Sequence, residues 1–117
     1  MGKLFNQTNG NSINIEFADT FFKRFLGLMG RKSIEETDGL LFVLNKPSIM
    51  DAGIHMFFMR FDIAVIWLAE DLTVIDKILA KKWHPSYVPK KKAKYFLETH
   101  LSQLNKFSEG DQMEILP

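Results

Sequence analysis

A mainly β fold, a sandwich or partly closed barrel of about seven strands with one or two short helices, is what this sequence predicts. Three observations carry that expectation. Short apolar runs with strand-like alternation recur along the chain, turn residues punctuate them, and only two stretches, residues 20–29 and 102–106, suit a helix. A parallel α/β sheet would need a helix between each pair of strands, and the middle of the chain has none.

The first strand is Ser12-Ile13-Asn14-Ile15-Glu16-Phe17, where polar and apolar residues alternate as on a sheet with one buried face. Residues 1–11 ahead of it are expected to be poorly ordered. Asp19 or Thr20 can cap a helix whose apolar stripes are Phe21, Phe25, Leu28 and Phe22, Leu26, Met29. Gly30 suits its stop, and Arg31 and Lys32 suit the negative end of its dipole. Gly27 then falls inside the helix, where glycine needs a reason, and close approach of the helix to a strand would supply one. Ser33-Ile34-Glu35-Glu36 fits a capping box for one further turn.

Leu40-Leu41-Phe42-Val43-Leu44 reads as a buried strand closed by Asn45-Lys46-Pro47-Ser48. Residues 54–58 and 63–69 are the next strands, and Glu70-Asp71 turns the chain into a strand at 72–79. Pro85 and Pro89 make residues 83–89 a loop. Residues 95–101 and 112–116 supply the last strands, separated by the helical turn at 102–106 and a tight turn at Glu109-Gly110-Asp111.

With 117 residues, 46% of them apolar and eleven of them Phe, residues 1–117 suit one domain with a substantial core. The absence of Cys excludes disulfides, thiolate-bound zinc or iron–sulfur, and a cysteine nucleophile, and it leaves the redox compartment unreadable. No secretory core opens the chain, so a cytoplasmic protein is expected. The longest apolar stretch, residues 63–69, is too short to cross a bilayer, so no membrane partner is expected. Net charge is +1, but the stretch from Lys77 to Lys94 holds seven Lys and no acid, leaving the remainder acidic.

Arg24 and Glu98 are charged residues inside otherwise apolar motifs. Either they pair with each other in the core, or Arg24 grips the carboxylate or phosphate of a small anionic ligand with its planar fork. His55, on a strand, would share a face with Phe57 and Met59, either as a hydrogen-bonded core residue or, with Met29 and Met50, as part of a soft metal site. Methionines fill gaps in cores more often than they bind copper, so no metal and no cofactor is expected. Glu98 and His100 lie two apart and could form an acid–base pair, yet no catalytic motif accompanies them. A binding module with a site around Arg24, His55, Met59 and Glu98 is therefore the leading expectation, with an enzyme using Glu98 and a histidine as the alternative. A further alternative is nucleic-acid association through the tract of Lys81, Lys82, Trp83, Tyr87, Lys90, Lys91 and Lys92, which mixes cations with aromatics. Against it, a dedicated nucleic-acid binder would usually be strongly basic overall.

Five motifs in order extend this reading: Arg24-x-x-Gly27-Leu28-Met29-x-Arg31, Asp38-Gly39-Leu40-Leu41-Phe42-Val43, His55-x-x-Phe58-Met59-x-x-x-Ile63, Leu97-Glu98 and Gly110-Asp111. From about residue 12 to 116 the chain resembles the bacterial and archaeal family called domain of unknown function 192. The resemblance implies a jelly-roll or barrel-like β domain with a short helix, and no established activity. The chain looks like a divergent member: Ala64 and Ala69 stand where members often carry Asp, and Leu72 stands at the place of a turn glycine.

Overall fold

Ile63-Ala64-Val65-Ile66-Trp67-Leu68 is apolar at every position, so a strand made of it has to be covered on both faces. A computed structural model, which describes residues 2–18 and 27–117, places this segment between two other strands of one sheet with all six residues buried. The strands are β1 (Gly2–Asn6), β2 (Ser12–Ala18), β3 (Asp38–Ser48), β4 (Ile63–Leu68), β5 (Val74–Ala80), β6 (Ala93–Thr99) and β7 (Met113–Leu116). They pair in the order β5-β4-β6-β3-β2-β1-β7. Only β2 and β3 run parallel, joined by a crossover through residues 19–37, and the other neighbours are antiparallel.

The sheet curls into a half-barrel whose two edges meet at one end. Thr73, ahead of β5, bridges Gln112, ahead of β7. Val74 N–H donates to Asp111 O at 2.9 Å, and Met113 N–H donates to Leu72 O at 2.9 Å. The mainly β expectation holds, with one curled sheet in place of two stacked ones.

Alternation along each strand sorts the apolar residues into two cores. Inside the curl lie Leu4, Ile15, Leu41, Ile66, Leu97 and Met113, capped by Phe107 beyond the 3-10 helix Leu101–Lys106. On the outer face lie Leu40, Phe42, Val65, Trp67 and Phe96, covered by Leu28 and by Ala52, Ile54, Met56 and Met59. The cover is a ribbon of two irregular segments held side by side. Ile54 N–H donates to Tyr87 O at 2.8 Å, Tyr87 N–H to Ile54 O at 2.9 Å, and Met56 N–H to His84 O at 2.9 Å. Trp67 Nε1–H donates to Ala52 O at 2.8 Å and fastens the ribbon to the sheet.

Three expectations change here. Residues 54–58 are not a strand: Ile54 makes an isolated bridge to Tyr87, and a turn at Phe57-Phe58, with Phe58 at φ 64°, breaks the two-residue period. Residues 1–11 are not loose at their start: β1 pairs with β2 on one side and with β7 on the other. Asn6 at its end is buried, donating through Nδ2 to Asp111 Oδ2 at 2.8 Å while its Oδ1 accepts from Thr8 N–H at 2.9 Å. Gly27 is not inside a helix: it has φ +49°, and residues 27–30 form turns. The rest of the helix expected at 20–29 lies outside the described residues. The helical turn expected at 102–106 is present as the 3-10 helix, with His100 as its cap. Among the described residues no helix is long and apolar enough to cross a membrane.

If β1 belongs to the cooperative core, Leu4→Ala will cost about 3 kcal/mol, the usual range for a fully buried leucine. Urea denaturation checks this, and an unchanged midpoint would show that β1 frays independently.

Candidate functional site

Glu98 sits on β6 opposite Leu40 of β3 and Val65 of β4, on the same face as Phe96. Alternation therefore turns its carboxyl into the outer core, where the side chain is buried. It reaches a pocket of about 80 Å³ together with His55 and Met59, so three of the residues expected at a site meet there. Leu28, Met29, Phe42, Ile54 and Phe96 form much of the wall. Phe42 and Phe96 are register partners whose rings stack at 4.4 Å with 8° between planes. Gly27 leaves room at the inner end, since a Cβ there would lie 3.3 Å from Phe42 Cζ and 3.4 Å from Glu98 Oε1.

Burial pushes the Glu98 carboxyl up to about 7, and the Arg31 guanidinium pulls in the opposite direction without reversing the shift. No hydrogen bond to this carboxylate comes from the described residues. Arg24, expected either to pair with it or to bind a ligand, lies outside them. Arg31 has a place near the site that the sequence reading, which set it at a helix end, did not give it.

His55 is exposed and so is not a core histidine. Its Nδ1 accepts from Phe57 N–H at 3.3 Å and its ring lies 5.4 Å from that of Phe57, at the mouth of the pocket. Met59 turns inward with Met56, contrary to the alternation expected of a strand, because the turn at Phe57-Phe58 intervenes. Met29 lines the pocket but Met50 is 78% exposed and does not. Among the described residues no three His, Cys, Asp or Glu side chains gather to hold a metal. His100 is used elsewhere: its Nδ1 accepts from Ser102 N–H at 3.0 Å and lies 2.9 Å from Ser102 Oγ. No hydrogen bond joins it to Glu98 among the described residues.

The lysine tract is partly occupied by structural contacts. Lys77 Nζ donates to Leu104 O and Phe107 O, Lys94 Nζ donates to Asn45 O, and Lys90 pairs with Glu109. Tyr87 is half-buried, stacked on His84 at 4.1 Å, with its hydroxyl accepting from Lys81 N–H. Lys81, Lys82, Lys91, Lys92 and Trp83 stand exposed. A larger cavity of about 690 Å³ lies between β2, β3 and the turn carrying Arg31, with Lys3, Glu16, Glu35 and Asp38 giving it mixed charge.

Residues 4–115 match the model of the domain of unknown function 192 family, described as "Uncharacterized ACR", and the chain belongs to that family. It is 41% identical to a UPF0127 protein of Thermococcus kodakarensis over 97% of this chain and 73% of that one. It is 42% identical to a UPF0127 protein of Pyrococcus furiosus over 95% of this chain and 96% of that one. A crystal structure of a protein of unknown function from Novosphingobium aromaticivorans has the same fold, with TM-score 0.87 and 20% identity over 97% of this chain and 84% of that one. Two family motifs now have physical content. Gly110-Asp111 anchors the closure through Asn6, and Leu97-Glu98 carries the pocket carboxylate. Of the departures, Ala64 is fully buried in β4, and Leu72 takes φ 68°, a left-handed conformation that glycine would adopt freely.

The folded Glu98 carboxyl holds its proton more tightly than the unfolded one, whose ordinary value is 4.5, so its contribution is favourable at low pH and fades as pH rises through about 7. A loss of about 3 kcal/mol across that window is expected, absent in Glu98→Gln, and denaturation at a series of pH values measures it. Gly27→Ala, strained by its left-handed backbone and its contact with Phe42, is expected to lose about 1–2 kcal/mol. A thermal melt that leaves this variant unchanged would remove the packing role assigned to the glycine.

Proposed function

We propose that this member of the family is a small-molecule binding module, with the pocket under the ribbon as its site. The observation that carries the reading is the convergence of His55, Met59 and Glu98 on one pocket whose only described acid is a buried carboxyl. Such a pocket suits a compact ligand group of a few heavy atoms that brings a hydrogen-bond donor or a positive charge. Glu98 receives that group at the inner end, the stacked Phe42 and Phe96 give it apolar contact, and His55 with Met29 meets the remainder of the ligand at the mouth. A cytoplasmic setting goes with this reading, as the sequence leads us to expect.

The described groups favour a cationic or donor ligand over the anionic one that Arg24 had suggested. A carboxyl near neutrality also suits proton transfer, with His55 at the mouth of the same pocket as a second group, but a binding role needs no such pair.

Methylguanidinium and trimethylammonium are suitable probes, with acetate and phosphate as their anionic counterparts. The cations are expected to raise the melting temperature, more strongly above pH 7 where Glu98 is charged, and to lose the effect in Glu98→Gln. A response to acetate or phosphate alone would reverse the charge assignment, and silence from all four would sink the binding reading.

A further inference from the structure

The ribbon that covers the outer core turns Ile54, Met56 and Met59 inward, and its opposite side carries a row of exposed apolar side chains. Phe58 and Trp83, 61% and 55% exposed, form a ring pair at 5.1 Å, with Met50 and Val88 at the far end. Large apolar side chains clustered in water call for an explanation that scattered ones do not. The backbone adds a second observation. Phe58 and Trp83 have φ 64° and 67°, left-handed conformations that bulky residues seldom take. Both are held in place by backbone bonds: Trp83 N–H donates to Met56 O at 2.7 Å within the ribbon, and Phe58 O accepts from Gly30 N–H at 3.1 Å in the neighbouring turn. Two neighbouring turns thus accept local strain to present adjacent rings to solvent.

Charge flanks this row on both segments. Lys81 and Lys82 adjoin Trp83, Lys91 and Lys92 follow Val88, and all four are exposed. Arg60 lies two residues beyond Phe58 and is exposed as well. The exposed acid of the ribbon is Asp51, next to Met50, while Asp62 Oδ1 accepts from Lys82 N–H at 2.9 Å. The Phe58–Trp83 end is therefore the apolar and cationic one.

We propose that this end of the ribbon is a docking surface for an anionic lipid membrane, with Phe58 and Trp83 entering the interfacial layer and Lys81, Lys82 and Arg60 meeting the headgroups. The protein lies on the bilayer and does not span it. Tryptophan and phenylalanine favour the interfacial zone, and lysines are drawn to an anionic leaflet. Single-stranded nucleic acid fits less well. The Phe58 and Trp83 planes meet at 58°, so the pair does not offer two parallel platforms, and Met50 and Val88 give a base nothing to stack on. Tyr87, the other aromatic of the tract, is already stacked on His84. The docking surface does not draw on the pocket carboxylate, and neither proposal depends on the other.

Flotation with vesicles of phosphatidylcholine containing roughly one-third phosphatidylglycerol tests the proposal, with pure phosphatidylcholine as control. The full chain is expected to float with the anionic vesicles, less so as salt rises, and not with the neutral ones. Trp83 emission should shift to the blue on binding, and in Trp83→Phe the buried Trp67 alone should show no shift. Phe58→Gly/Trp83→Gly relieves the left-handed strain and so keeps the fold, reported by Trp67 emission, yet it should bind roughly tenfold more weakly. Lys81→Gln/Lys82→Gln should weaken binding and flatten its salt dependence. No flotation with anionic vesicles at low salt would overturn the proposal. So would equal flotation of the double-glycine variant, or capture of a single-stranded oligonucleotide by a protein that ignores the vesicles.

Discussion

The outer face of β3, β6 and β4 is apolar and must be kept from water, and the rest of the architecture answers to that requirement. Among the described residues the only helix is the short 3-10 turn, which packs with Leu104 and Phe107 on the inner core and leaves the outer face alone. Among the described residues, irregular chain does the covering. Irregular segments bring backbone polar groups into a buried layer, and these need partners. The ribbon supplies them by pairing its two halves at Ile54 and Tyr87 and by giving Ala52 O to the Trp67 indole.

A cover of this kind is less uniform than a packed helix, and its unevenness is where the chemistry collects. On its inner side it meets β6 at Glu98, enclosing a carboxyl in the small gap between Met59, Phe42 and Phe96. On its outer side the turns that return the chain to the sheet expose Phe58 and Trp83. Both features follow from one solution to one burial problem. The polar anchors elsewhere are structural by comparison: Asn6 with Asp111 and Thr99 Oγ1 with Asp38 O each satisfy buried groups at the seams of the sheet.

The long strands were legible because their signals are local. Residues 63–68 are wholly apolar, β2 alternates, and β3 is an unbroken apolar run after Asp38-Gly39. β1 was missed because its burial rests on Leu4 and on Asn6, a polar residue whose partner lies 105 positions away. Residues 54–58 carry strand-like composition, but pairing is a tertiary property, and the left-handed turn at Phe58 is invisible in a residue type that usually avoids it. Glu98 stood out as a lone charge in an apolar segment, and His55 and Met59 were legible as polar and soft residues in another. That they share a pocket depends on how the ribbon folds over the sheet, which no spacing encodes. In the sequence Arg31 reads as a helix-end residue, and its approach to Glu98 is equally a matter of tertiary placement.

The pairing of β1 with β7, with Lys3 opposite Leu116, gives the curl its final contact in space and also in time. During synthesis the first strand waits beside an open edge until the seventh has emerged, and until then Leu4 and the edge of β1 remain available to other chains. Closure between strands more than a hundred residues apart, as Lys3 and Leu116 are, makes assembly slow relative to folds built on local contacts. A rearranged chain in which β7 and β1 are consecutive would trade that long wait for a hairpin.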